Sequence, residues 1–246
     1  YNISYIQGVG LGTITDILPS IKFNVFDKKV LGMKELLKAL ENDFEQNESL
    51  RQRFLNKTPK YGNDDDYADE LMRSVFESYY QAVSGRPNTK GGFYQINLLP
   101  TTVHVYFGKV TGATADGRKA CQPLSEGISP VQGADRRGPT AVIKSASKMD
   151  HIRTGGTLLN QKFTPLFLAD EQGLDGVAHL IRSYFKLDGH HIQINVVSAE
   201  TLRDAQKHPE KYRDLIVRVA GYSDYFVDVG VDLQNEIIKR TEHQKI

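Results

Sequence analysis

Apolar residues recur at helical spacing in two segments of the first half of the chain. The longer segment, from 68 to 83, keeps its apolar positions on one face and stops ahead of Gly85 and Pro87, both of which end helices. The shorter segment carries a single apolar stripe, which predicts a surface helix. The members of that stripe are Met33, Leu36, Leu37, Leu40 and Phe44.

Strands are predicted where apolar and polar residues alternate with a period of two. The clearest is 191–196, and the segments 92–98 and 102–107 have the same character. Helices are predicted over 174–185 and directly after Ser198, whose hydroxyl suits an N-cap. This alternation of strands with helices favours an α/β fold whose strands are mostly parallel.

The opening residues, 1–7, resemble the interior of a strand and run into the glycine-rich segment 8–12. The third glycine follows the second by two positions and not three, and no acidic residue follows a second strand, so the dinucleotide-binding pattern is not met. We predict a bend, with Thr15 and Asp16 beginning the next helix. Because Tyr1 is not a methionine and the chain opens inside a strand, we expect a C-terminal portion of a longer protein.

Composition narrows the functional classes. The 246 residues include 31 Lys and Arg against 30 Asp and Glu, so charge does not favour nucleic acid or an anionic membrane as a partner. A hydrophobic content of 39% is ordinary for a globular protein, and no apolar run is long enough to span a membrane. The single cysteine excludes an internal disulfide framework and a cysteine-based zinc site, which favours the cytoplasm.

Two groups of polar residues invite a metal-site interpretation, and their spacing argues against it. The acidic segment 63–66 lacks the alternate ligand positions and later glutamate of a calcium loop, so we predict that it caps the following helix. The histidines have no second ligand at zinc-motif separations. These histidines are His104, His190 and His191. No metal is expected.

An apolar run, 215–217, leads into the most distinctive heptapeptide of the chain. It reads Arg218-Val219-Ala220-Gly221-Tyr222-Ser223-Asp224. A lone glycine after a strand is usually a turn residue with positive φ. The segment 218–222 also resembles the Arg-Val-X-Gly-Tyr motif of the glycyl radical enzymes, which store an unpaired electron on the glycine Cα. A Cα radical flattens toward sp² geometry, and a Cβ would crowd that state.

Other segments resemble the same family, in the same order along nearly the whole chain. They are 5–10, 24–29, 99–108, 112–118, 125–130, 138–142, 147–149 and 155–160. The resemblance implies the pyruvate formate-lyase-like architecture. Residues 1–118 would form the C-terminal part of a ten-stranded α/β barrel, and residues 125–246 a glycine radical domain inserted in the barrel mouth.

The resemblance also implies roles and partners. Gly221 would carry the radical, and a radical S-adenosylmethionine activase with an iron–sulfur cluster would install it. No cofactor would stay bound, and the complete protein would be a homodimer acting on a small-molecule substrate. The rest of the radical loop would be Arg218, Val219, Ala220, Tyr222 and Ser223.

The family's catalytic cysteine lies in a Gly-Cys-X-Glu loop, which this chain lacks. Its only cysteine, Cys121, lies in a different context and is interpreted as an incidental small residue. The catalytic cysteine and its glutamate are therefore expected upstream. Segments 57–70, 148–156 and 188–193 are most similar to the dehydratase-like branch. The expected reaction is dehydration of trans-4-hydroxy-L-proline, with glycerol, propane-1,2-diol or another radical lyase reaction (decarboxylation, formate C-acetyl transfer) as alternatives.

Two pairs of residues are candidates for supporting roles. In the family Thr101 and Thr102 end a strand at the substrate cavity, so they are candidates for contact with a polar substrate; the alternative is a hydroxyl bonded to its own backbone neighbourhood. Gln193 and Asn195 share one face of the strand 191–196. They either support the Gly221 loop by hydrogen bonds or face solvent on an edge strand.

A function of another class is a non-catalytic module that lends its glycyl radical to a damaged partner. Small proteins of that kind carry only the terminal domain, so residues 1–118 would then have no purpose. A Gly-Cys-X-Glu loop upstream in the same reading frame would decide for the enzyme.

Overall fold

The computed structural model describes residues 2–99 and 101–245, so Tyr1 of the predicted opening strand and Pro100 of the segment 99–108 lie outside the described residues. The helices are α1 (Leu11–Ile21), α2 (Met33–Glu41), α3 (Glu48–Asn56), α4 (Asp66–Val83), α5 (Val103–Lys109), α6 (Pro139–Ala146), α7 (Glu171–Lys186), α8 (Ala199–Lys207) and α9 (Val231–Lys239). The strands are β1 (Ser4–Gln7), β2 (Tyr94–Asn97), β3 (Leu159–Phe163), β4 (Ile192–Val196), β5 (Ile216–Arg218), β6 (Ser223–Tyr225) and β7 (Glu242–His243).

The strands form three small sheets with helices between them. Strands β1 and β2 pair in parallel, and so do β4, β3 and β7, with β3 in the centre. Among these seven strands of the described residues, only β5 and β6 pair antiparallel, and an antiparallel bridge joins Pro87 to Phe93 just before β2. The predicted α/β class with mostly parallel strands is confirmed.

The strand predicted over 102–107 is wrong, because this segment forms helix α5. The buried positions are His104, Val105 and Gly108, which is helical spacing, whereas Tyr106 and Phe107 are exposed. A Cβ on Gly108 would lie 2.3 Å from the Gln122 carbonyl oxygen, so the helix packs closely on that backbone. Tertiary contacts have overridden the strand preference of β-branched and aromatic residues.

The start predicted for the first helix is also wrong. Helix α1 begins at Leu11, directly after Gly10, whose φ of 79° lies in the left-handed region that favours glycine. Thr15 and Asp16 are therefore buried in the interior of the helix and do not begin it. The glycine-rich segment does bend the chain between β1 and α1.

The apolar stripe predicted around α2 is narrower than expected. Leu36 and Phe44 are buried and Leu40 packs beside them, whereas Met33 and Leu37 are exposed. Phe44 itself follows the end of α2, and its φ of 61° turns the chain back toward the helix.

The helix boundaries predicted from capping residues are confirmed. The Asp65 carboxylate accepts a hydrogen bond from the backbone N–H of Tyr67 at the start of α4, as predicted for the acidic segment 63–66. The Ser198 hydroxyl accepts one from the N–H of Thr201 at the start of α8. Both side chains satisfy an amide that the helix leaves free.

Two apolar clusters organise the part of the chain that concerns the site. The main cluster joins α1, α4 and β2 to α6, β3 and α7. A second cluster lies within residues 197–238 and joins α8, β5 and α9. The main cluster takes residues from both sides of the predicted boundary at 118–125, and that boundary stays a prediction. Within residues 2–99 and 101–245, no helix has the length and apolarity needed to cross a membrane.

Candidate functional site

Gly221 lies at the tip of the β5–β6 hairpin. The register pairs Arg218 with Ser223, and the Val219 N–H donates to the Tyr222 carbonyl at 2.9 Å. Ala220 and Gly221 are thus the two residues of the reversal. The φ of Gly221 is 86°, which a residue with a Cβ adopts only at a cost.

The surroundings of Gly221 are open on its Cβ side. An added Cβ would have the Leu99 Cδ1 as its nearest neighbour, at 3.6 Å, which is ordinary van der Waals contact. Gly221 is exposed in this chain, whereas Val219 and Ala220 before it are buried. The position of Gly221 therefore demands glycine because of its backbone conformation and not because of crowding.

The hairpin is held by two amide side chains of β4. The Gln193 Oε1 accepts from the Gly221 N–H at 2.8 Å and from the Arg218 guanidinium at 2.9 Å. The Asn195 side chain pairs with the backbone of Arg218, accepting from its N–H and donating to its carbonyl, both at 2.8 Å. Gln193 is 3% exposed and Asn195 is 4% exposed, so the alternative that they face solvent is contradicted.

The Arg218 guanidinium also ties the two strands of the hairpin together. Besides its bond to Gln193, it donates to the Ser223 hydroxyl at 2.9 Å. A planar guanidinium with several donors can hold two partners in fixed directions, which lysine does less well. The loop is thus fixed both at its backbone and at its base.

Two buried residues that were not predicted from the sequence lie behind Gln193. The Gln193 Nε2 donates to the Asn160 Oδ1 at 2.7 Å, and the Asn160 Nδ2 donates to the Glu126 Oε2 at 2.7 Å. Burial raises the pKa of Glu126. The one available signal was a polar residue inside the otherwise strand-like end of the segment 155–160.

Four polar side chains on β3 and β4, here called the polar layer, face the hairpin and α9. They are Asn160, Lys162, Gln193 and Asn195. The parallel register places Asn160 beside Gln193 and Lys162 beside Asn195. The Lys162 ammonium donates to the Ile238 carbonyl at 3.0 Å, at the negative end of the α9 dipole.

A buried ion network adjoins the base of the hairpin. The Arg240 guanidinium binds the Glu236 carboxylate at 2.8 Å and reaches the Arg218 carbonyl at 3.3 Å. His104 from α5 lies 3.6 Å from the same carboxylate. Burial alone would raise the pKa of Glu236, yet Arg240 and His104 hold it below its usual range.

The remaining predicted site residues lie elsewhere. Thr101 is exposed with a φ of 52°, and the half-buried Thr102 directly precedes α5; no contact of either with Gly221 is among those of the described residues. Because α5 replaces the predicted strand, Thr101 and Thr102 directly precede a helix and do not end a strand. Cys121 is exposed with a φ of 63°. Across the described residues, no three potential metal ligands cluster.

Two family models match the chain, and together they account for most of it. The model described as pyruvate formate lyase-like matches residues 1–108, and the model described as glycine radical matches residues 124–227, which include Gly221. The chain belongs to the glycyl radical enzyme family.

Relatives within the glycyl radical enzymes include dehydratases. Trans-4-hydroxy-L-proline dehydratase of Clostridioides difficile is 60% identical over 242 residues, which are 98% of this chain and 31% of that protein. The crystal structure of hydroxyproline dehydratase from the same species, with trans-4-hydroxy-L-proline bound, superposes with a TM-score of 0.97 at 59% identity, covering 100% of this chain and 31% of that one.

A glycyl radical enzyme structure with another substrate is nearly as similar. The glycerol-bound form of the B12-independent glycerol dehydratase from Clostridium butyricum gives a TM-score of 0.96 at 48% identity, again over 100% of this chain and 31% of that one. The chain thus spans less than a third of the length of these relatives. The fold of this chain is therefore almost equally similar to both enzymes, whereas its sequence identity is higher to the hydroxyproline enzyme.

Proposed function

We propose that the protein containing this chain is a radical dehydratase and that Gly221 stores its radical. The observation that carries the proposal is the position of Gly221, at a reversal inside the glycine radical match, where the φ of 86° favours glycine and Gln193 holds the N–H. The 60% identity to trans-4-hydroxy-L-proline dehydratase supports the reaction class.

The chemistry at Gly221 follows from the backbone alone. Loss of one Cα hydrogen atom leaves a planar radical delocalised onto the neighbouring amide nitrogen and carbonyl. The bond from the Gly221 N–H to Gln193 keeps that amide in a fixed orientation, and Arg218 with Asn195 fixes the strand before it. Residues 218–223 therefore form the radical loop of this proposal.

The radical must be made, used and returned. A radical S-adenosylmethionine activase with an iron–sulfur cluster removes the hydrogen atom from Gly221, and this chain binds no cofactor of its own. The Gly221 radical then takes a hydrogen atom from a cysteine outside this chain, and the resulting thiyl takes one from a substrate C–H bond. Loss of the neighbouring hydroxyl as water, assisted by general acid–base groups, leaves a product radical. That radical takes a hydrogen atom back from the cysteine thiol, and the thiyl then takes one from nonradical Gly221, which restores the glycyl radical.

The proposed substrate is trans-4-hydroxy-L-proline, with glycerol or propane-1,2-diol as the alternative. Similarity to dehydratases bound to hydroxyproline and to glycerol supports this order, because identity is 59% for the first and 48% for the second. Thr101 and Thr102 remain the candidates in this chain for contact with a polar substrate.

The proposal has consequences for exposure and assembly. Gly221 is exposed in this chain, and a radical must be screened from oxygen and solvent, so residues outside this chain cover it in the complete enzyme. Residues 125–246 act as the glycine radical domain beside barrel residues 1–118, and the loop swings out to reach the activase. We propose a cytoplasmic homodimer, which the single cysteine and the family resemblance support.

The deciding assay uses the complete protein after anaerobic activation. Pyrroline-5-carboxylate formed from trans-4-hydroxy-L-proline and aldehyde formed from glycerol or propane-1,2-diol are followed separately. Turnover of hydroxyproline alone supports the proposal, and turnover of a diol alone moves the protein to the alternative. Turnover of only an arylacetate or a sulfonate would remove it from the dehydratases. A protein that restores a damaged partner without turnover of its own would be the non-catalytic module.

A further inference from the structure

The side chains behind Gly221 form a line of hydrogen bonds that runs in one direction. The Gly221 N–H donates to Gln193 at 2.8 Å, Gln193 donates to Asn160 at 2.7 Å, and Asn160 donates to Glu126 at 2.7 Å. Each step is short enough to be a full hydrogen bond. The line crosses from the hairpin through β4 and β3 to the segment that begins the second half of the chain.

The direction of each amide in this line is fixed by its neighbours. The Gly221 N–H and the Arg218 guanidinium are both donors, so Gln193 must present its oxygen to them. The Gln193 NH₂ then faces Asn160, whose oxygen must accept, which in turn points the Asn160 NH₂ at Glu126. Glu126 accepts this bond through its Oε2, so the line ends there.

Burial makes the loss of any hydrogen bond in this line costly. Asn160 is 8% exposed and Glu126 is 2% exposed, so a missing partner would leave a largely desolvated polar group. A buried amide that loses its acceptor keeps the full cost of its desolvation. The Ser129 hydroxyl adds to the constraint, because it accepts from the backbone N–H of Asn160 at 2.9 Å.

We propose that Asn160 and Glu126 are positioning residues for the radical-bearing Gly221 and act on it through Gln193. The inference rests on the proposed function, since it assumes that Gly221 holds the radical. Without Asn160, or with Asn160 released by the loss of Glu126, the buried Gln193 NH₂ has no fixed acceptor, so the side chain can shift to find one and carry its oxygen away from the Gly221 N–H. The loop then loses the bond at the amide that shares the unpaired spin, while Gly221 itself is unchanged.

The main test is electron paramagnetic resonance of the activated complete protein with Asn160→Leu and with Glu126→Leu. We expect an altered hydrogen hyperfine splitting and an anaerobic radical half-life shortened about fivefold to tenfold, the factor that one hydrogen bond of ordinary net strength supplies. Glu126→Gln should stay within about twofold of the wild type, because an amide oxygen can still accept from Asn160.

The matched control is Gln161→Leu. Gln161 is the next residue on β3, is as deeply buried as Asn160, and has no side-chain hydrogen-bond partner among the described residues. Gln161→Leu therefore replaces a buried amide by leucine on the same strand without breaking any of these hydrogen bonds. An unchanged spectrum and half-life are expected, and an effect equal to that of Asn160→Leu would overturn the proposal.

An exchange of side-chain types keeps the test decisive if the leucine variants fold poorly. Asn160→Asp alone places two carboxyl groups against each other, with no donor between them once both are ionised, so the half-life should shorten as the pH is raised. The double variant Asn160→Asp with Glu126→Gln keeps the net charge and reverses the last bond, so the half-life should recover. Wild-type behaviour of every variant refutes the positioning role of Asn160 and Glu126. Absence of a radical in the wild type refutes the proposed function itself.

Discussion

Replacement of Gly221 by alanine should abolish the radical and leave the protein folded. A left-handed backbone costs an L-residue about 1–2 kcal/mol, and the φ of 86° places Gly221 in that region. The added Cβ would lie 3.6 Å from Leu99, so no clash adds to this cost. A loss of about 1–2 kcal/mol leaves most of the ordinary 5–15 kcal/mol of a domain, and Gly221→Ala should fold.

The matched control for this strain is Gly91→Ala. Gly91 has a φ of 76°, and an added Cβ would have no neighbour within 4 Å, so the backbone cost should be the same. Both variants should therefore lose similar stability in denaturant unfolding. Only Gly221→Ala should lose the radical.

The assay is anaerobic activation with the activase and S-adenosylmethionine, followed by electron paramagnetic resonance. The wild type and Gly91→Ala should give an organic radical doublet, split by the one remaining Cα hydrogen and collapsed by deuterated glycine. Exposure to air should cleave both at Gly221 and release a peptide beginning near Tyr222. A folded Gly221→Ala protein with full activity would refute the assignment.

Three further substitutions test other parts of the structure. Burial raises the pKa of Asp16 to about 7, so the stability contributed by its protonated form is present below about pH 4 and is lost as the pH rises to 7. At pH 8 the free energy of unfolding of Asp16→Asn should therefore exceed that of the wild type, by at most about 4 kcal/mol. At pH 4 the two proteins should be equally stable in denaturant unfolding. Lys148 lies 2.7 Å from the buried Asp69 carboxylate, so Lys148→Met should cost about 3 kcal/mol in urea unfolding, and an additional Asp69→Asn should recover part of it. Thr101 is exposed, so Thr101→Val should change stability by less than about 0.5 kcal/mol while raising KM; unchanged KM and kcat would remove it from the substrate site.

The sequence predicted half of the polar layer and could not predict the other half. Strand β4 alternates, so Gln193 and Asn195 fall on one face by period alone. Strand β3 is buried on both faces, and its polar residues Asn160 and Lys162 therefore follow no amphipathic pattern. Their partners become identifiable only once the parallel register is known.

The same limit explains the error at α5. Alternation of Val103, Val105 and Phe107 with other residues satisfies the strand pattern, and a segment of this length cannot be assigned by period alone. The contacts of α5 in the structure are distant in sequence: His104 lies 3.6 Å from Glu236 in α9, and Gly108 packs on the backbone of Gln122. By contrast, the capping of α4 and α8 is local, and local chemistry was sufficient.

The placement of the polar layer between two separate apolar clusters has a consequence for local unfolding. Residues 197–238 carry their own apolar core, and what joins their hairpin and α9 to β3 and β4 is mostly amide, ammonium and carbonyl groups. Separation across such a boundary would expose little apolar surface, and water could replace the broken hydrogen bonds. Amide protons of α8, β5 and α9 should therefore exchange together as one cooperative unit, at a lower free energy than those of α4 and β3.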